Sequence, residues 1–239
     1  MSWKVGDREA RFKQGGWVGM IMPTSPSTGL ELSNDDWLDD MWRLVTVNPN
    51  PRHSCAIEER YLRDNDYIVR YKQSEKDRFS FQLDWRAIPA DQESNFEFGI
   101  EMWISVQTNL LDVHPTIDLT SEVGGATWET FHHHQLAESS GTVQSSAAGP
   151  AILTPAAMVA RTNSGTIVQL IFPSDQNQIE YQEVKRKSVR SMRLFGQSME
   201  KGVIRRARIR VLASIDEVDL SRLSESYQRF QESPLPLTT

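Results

Sequence analysis

Two long alternating runs, at 78–88 and 95–107, constrain what this chain can fold into more than any other feature. In the first, Phe79, Phe81, Leu83, Trp85 and Ala87 take the odd positions, with Ser80, Gln82, Asp84 and Arg86 between them. In the second, the even positions are Phe96, Phe98, Ile100, Met102, Ile104 and Val106, and Glu97, Gly99, Glu101, Trp103, Ser105 and Gln107 intervene. A period of two sustained this long is what a strand needs when one face is buried and the other open. If both apolar sets are buried, eleven side chains enter one core, each contributing roughly 1.5–3 kcal/mol. The implied fold is all-β: a mainly antiparallel β-sandwich or supersandwich with short peripheral helices.

The rest of the chain extends this pattern. Residues 1–32, punctuated by Gly15, Gly16, Gly19, Pro23, Pro26 and Gly29, are expected to form an N-terminal arm or a short edge element. Ser33-Asn34-Asp35-Asp36 before Trp37, Leu38, Met41 and Trp42 suggests a capped helical turn. Asp64-Asn65-Asp66 is a three-residue hairpin signal between strands at 55–63 and 67–72, and Asn163-Ser164-Gly165 marks another turn. Residues 137–149 are poor in bulky side chains and read as a mobile loop. In 203–213, Val203, Ala207, Ile209, Val211 and Ala213 should face inward, and Ile204, Arg206, Arg208, Arg210 and Leu212 outward. Leu220, Leu223, Tyr227 and Phe230 have helical spacing. With no repeat and no linker, one domain over 1–232 with a flexible 233–239 tail is the simplest organisation.

The 239 residues suffice for a large core, and no apolar run approaches the roughly 20 residues of a membrane span. The first twelve residues carry Lys4, Asp7, Arg8, Glu9 and Arg11 without an apolar centre, so no signal peptide is expected, and a soluble cytoplasmic protein is the default. The single cysteine, Cys55, excludes an internal disulfide and reads as a small buried hydrophobe. Net charge is −6, yet residues 185–210 hold ten basic residues against Glu200 alone. Such a block can bind anions, but cross-strand neutralisation by acidic neighbours is the better account. Overall acidity argues against nucleic acid.

Three candidate sites emerge. The first is the polar face of the large sheet, where Trp103 shares its parity with Glu101 and faces Asp84 and Arg86 on the next strand. An aromatic ring among planar polar groups can stack on a sugar and grip its hydroxyls. Arg206 and Arg208, with Arg210, add a stripe spaced about 6.5–7 Å that could follow an acidic polysaccharide. The structural alternative is that a helix, loop or second subunit covers Trp103. The second site is a metal centre: His132 and His134 would point to one side of a strand, with His114 as a third ligand for zinc or another divalent ion. A surface patch of imidazoles is the plainer account. The third is His114 between Asp112 and Asp118 as an acid or base, against a structural histidine.

Phosphate-loop, GxGxxG, HExxH, GxSxG and CxxC patterns are absent. The expected function is therefore non-catalytic binding of a carbohydrate or other polar small molecule on the large sheet, without a cofactor. The alternatives are a sugar-active or metal-dependent isomerase or lyase using the histidines, and a structural or assembly role in a homo-oligomer.

Overall fold

The computed structural model describes residues 3–35, 41–89, 92–93, 95–132, 135–138, 143–144, 156–172, 176–184 and 187–233. Two antiparallel sheets pack face to face, each of nine strands among these residues. In spatial order the first contains β1 (Trp3–Val5), β2 (Ala10–Gln14), β3 (Trp17–Ile21), β4 (Leu30–Asn34), β5 (Trp42–Asn50), β10 (Thr116–Gly124), β17 (Lys187–Phe195), β16 (Gln176–Val184) and β13 (Val143–Gln144). The second contains β12 (Gln135–Glu138), β11 (Thr127–His132), β14 (Ala157–Thr162), β15 (Gly165–Ile171), β18 (Ile204–Ser214), β9 (Phe98–Gln107), β8 (Ser80–Ala87), β7 (Asp66–Tyr71) and β6 (Ile57–Arg63). Among the described residues one α-helix, α1 (Leu220–Glu232), follows β18.

The alternating runs form β8 and β9, adjacent and antiparallel at the heart of the second sheet. Their apolar parities, with Ala207, Ile209, Val211 and Ala213 of β18, enter the core between the sheets, except Phe96, which precedes β9 and joins the cluster on the opposite face. Phe12, Trp17, Leu44, Leu119 and Leu194 meet them from the first sheet. A second apolar cluster lies on the opposite face of the second sheet, where Val159, Val168, Leu170 and Leu212 are roofed by Leu223 and Phe230 of α1. The helix begins where Asp219 Oδ1 accepts the Arg222 amide, 2.8 Å away. It buries Leu223, Ser226 and Phe230, whereas Leu220, expected on the same stripe, is left exposed in the first turn.

Several expectations change. Of the two expectations for the N-terminal residues, the edge element fits and the arm does not: β1 to β4 form one wing at the edge of the first sheet, larger than expected. Gly29 is required there, because its φ is +69° and a Cβ would collide with the Leu44 and Thr46 backbone. Ser33 and Asn34 end β4 rather than capping a helical turn, and 36–40 lie outside the described residues. Arg63 pairs with Asp66, so the hairpin turn is Asp64-Asn65, one residue tighter than expected. The basic segment supplies β17, whose Met192 and Leu194 join the core. Most of 137–149 lies outside the described residues. Of the C-terminal tail, Ser233 is the C-cap of α1, and 234–239 are not described.

Candidate functional site

Register lays the outward side chains of the second sheet in rows. Arg206, Ser105, Gln82, Arg70 and Glu59 form one row across β18, β9, β8, β7 and β6. Arg208, Trp103, Asp84, Ile68 and Tyr61 form the next, and Arg210, Glu101, Arg86, Asp66 and Arg63 the third. All three rows are polar in parity, yet their two ends have different fates.

At the β18 end, helix α1 seals the second and third rows. Arg208 is 2% exposed. Its guanidinium lies 5.2 Å from the Trp103 ring centre, 4.7 Å from Phe172 and 4.2 Å from Phe230. It donates to the Phe230 carbonyl at 2.6 Å and to Ser233 Oγ at 2.6 Å, so it closes the helix C-terminus. Beside it Arg210 donates from Nε and Nη2 to Glu101 Oε2, at 3.0 and 2.7 Å, and from Nη1 to Glu93. Ser226 of the helix donates to the other oxygen of Glu93 at 3.1 Å. The indole N–H of Trp103 donates to Glu101 Oε1 at 2.8 Å. Glu101 and Arg208 are thus packing and latching groups. The arginine stripe is broken, because two of its three members are buried.

At the β6–β8 end the same face is open. Here lies a depression of about 370 Å³, floored by Gln82, Asp84, Ser105 and Gln107 and bounded by Arg206 and Ile204 on β18 and by Glu59, Tyr61 and Arg63 on β6. Trp103 touches it, but at 5% exposure little of its ring is left for stacking. Tyr61, 41% exposed, is the accessible aromatic. It was missed in the sequence because it reaches this row only through the pairing that the Asp64-Asn65 turn sets. Asp84 accepts Gln82 Nε2 on Oδ1 at 2.7 Å. Burial pushes its carboxyl above the ordinary value, outweighing that hydrogen bond and the pull of Arg63 and Arg206. Arg86, one row away, is held bidentately by Asp66 at 2.8 Å through each nitrogen and takes no part in the depression.

The histidine candidates are not shown to converge. His132 ends β11 of the second sheet, with only its backbone described, and His134 lies outside the described residues. His114 precedes β10 of the first sheet, exposed, with Nδ1 4.0 Å from Asp112. Asp118, its other expected partner, is held instead by Arg193 at 2.6 and 2.9 Å. Among the described residues no group of three His, Cys, Asp or Glu side chains could hold a metal. His53 is buried: Nδ1 accepts the Cys55 amide, so Nε2 is the donor to the Phe79 carbonyl at 2.8 Å. The Cys55 thiol is pushed up to about 11, by burial first and the Asp77 charge second, which suits an unreactive thiol. No helix among the described residues is long and apolar enough to cross a membrane.

No family model matches the chain, and no curated protein matches it. Among solved structures it is similar to an α-N-acetylgalactosaminidase from Bifidobacterium bifidum in complex with GalNAc. The TM-score is 0.58 and the identity 13%, over 92% of this chain and 38% of that one. A second complex of that enzyme, with Gal-NHAc-DNJ, superposes with a TM-score of 0.56 at 12% identity, over 92% of this chain and 38% of that one. The chain thus spans well under half of the enzyme, and the likeness is one of fold.

Proposed function

We propose that this protein binds a saccharide in the depression on the outer face of its second sheet. One observation carries the reading: here some polar atoms have no hydrogen-bond partner among the described residues, beside an accessible aromatic ring. Asp84 Oδ2 and the Arg206 guanidinium make no hydrogen bond among the described residues, and Tyr61 stands at the rim. A sugar ring asks for that combination, with C–H faces against an aromatic and hydroxyl pairs against planar polar groups. The fold is compatible with such a role, being shared with part of a carbohydrate-processing enzyme. The Trp103 platform expected from the sequence is replaced by Tyr61, because α1 and Arg208 occupy the indole's surroundings.

Calorimetric titration with a panel of neutral and acidic oligosaccharides tests the proposal. Asp84→Ala and Tyr61→Ala should each weaken the binding seen with the parent protein about tenfold or more, a loss of ~1.4 kcal/mol. Equal affinity in both variants would move the ligand elsewhere.

A further inference from the structure

Arginines crowd the outer face of the second sheet, and nearly all are matched. Arg210 has Glu101 and Glu93, Arg86 has Asp66, and Arg70 lies 3.0 Å from Glu58 and 3.8 Å from Glu59. Arg208 is bound to the helix C-terminus, and Arg63 approaches Asp66 at 3.6 Å. Arg206 alone in this set is exposed and has neither hydrogen bond nor ion pair among the described residues, and it borders the depression. From this, we infer that the saccharide is an acidic one, a uronate whose single carboxylate pairs with Arg206 while Asp84 and Gln82 take neighbouring hydroxyls. The inference rests on the saccharide reading and narrows it.

Geometry and charge agree. Arg206 and Asp84 belong to strands on either side of β9 and to adjacent rows. Their backbones are therefore about 12 Å apart, two strand spacings across the sheet and about 7 Å along it. Both side chains line the same depression. Ser105 lies between them in the Arg206 row and offers a hydroxyl to the same ring. A guanidinium meets a carboxylate through two parallel N–H bonds, so one free arginine suffices for one carboxylate. A phosphate is a poorer fit. It is dianionic near neutral pH, and the depression offers it no lysine and no helix N-terminus. Asp84, in the same depression, would repel a dianion more strongly than the single charge of a uronate. Burial of Arg208 and Arg210 also removes the run of cations that a densely charged polyanion would need.

The test is calorimetry on the full 239-residue protein at pH 7 with galacturonate and glucuronate oligomers, the matching neutral oligomers, and inorganic phosphate. One acidic oligomer should bind at least about tenfold tighter than its neutral counterpart. Arg206→Gln should erase that margin, bringing the acidic oligomer down to the affinity of its neutral counterpart, and Arg206→Lys should restore part of it, since a point charge lacks the fork. As Arg206 is exposed, both variants should fold, with circular dichroism as the check. Equal binding of acidic and neutral oligomers would overturn the uronate assignment and leave the saccharide reading standing. Binding of phosphate alone, or of nothing, would overturn both.

Discussion

The two ends of one sheet face behave as different materials. Arg206, Arg208 and Arg210 are successive outward residues of β18, chemically identical and equally spaced. Arg206 stands in solvent at the depression, Arg208 is enclosed by three aromatic rings, and Arg210 is locked between two buried glutamates. The strand does not distinguish them; helix α1 does, by roofing two and stopping short of the third. At the sealed end the charged groups are held by protein partners, and at the open end Asp84 Oδ2 and Arg206 make no hydrogen bond among the described residues. Side-chain parity thus decides which face a residue takes, and coverage decides whether that face is latch or site.

The sharpest way to break this contrast is to remove one arginine from each end. Arg210→Ala leaves buried Glu101 without its ion-pair partner and buried Glu93 with only Arg229, 3.7 Å away, and should cost about 3–5 kcal/mol. Arg206→Ala should stay within about 0.5 kcal/mol, as exposed substitutions do. Urea denaturation of both variants, with the slope m checked for constancy, reads the difference directly. Similar midpoints would mean that the helix does not seal the Arg210 end. A step down in size is Leu223→Ala, which hollows the cluster under α1 and should cost about 2–5 kcal/mol. Leu62→Ala, on the half-exposed side of the edge strand β6, should cost far less in the same assay.

The sequence made some of this visible and hid the rest for identifiable reasons. Sustained alternation in β8, β9 and β18 was enough to place Asp84, Trp103 and Arg206 on one face, and the structure puts them in touching rows. Helical spacing disclosed α1 near its true limits. What covers Trp103 was not legible, because the latch joins Arg208 and Arg210 to residues as far away as Glu93 and Ser233. Basic residues concealed β17: its strand character lies in Met192 and Leu194, while Arg193 is neutralised by Asp118 across the pairing with β10. That cross-strand match absorbs one member of the basic block, as Glu101 across from β18 absorbs Arg210. Tyr61 stayed hidden because an edge strand with charges on both faces has no apolar period to mark its register.

The smallest effect separates the two ends by sign rather than size. Glu101 and Asp84 are both carboxylates on the polar parity of adjacent strands. Glu101→Gln removes charge from the Arg210 latch and should destabilise by about 1.5–3 kcal/mol, the range for hydrogen bonds to charged groups. Asp84→Asn should instead stabilise, on the order of 0.5 kcal/mol for a partly exposed position. The folded-state pKa of Asp84 is raised by burial, so folding favours its protonated form. Its carboxyl is then most compatible with the fold below the unfolded value near 3.8, and that compatibility is lost as pH rises through the higher folded value. An asparagine has no such titration. The gain should therefore be absent at the acid end of this window and complete above it. Denaturation of parent and variant from pH 3 to 7 measures the slope. A flat difference, or a loss of stability at neutral pH, would show that Asp84 is held by the protein as firmly as Glu101 and is not waiting for a ligand.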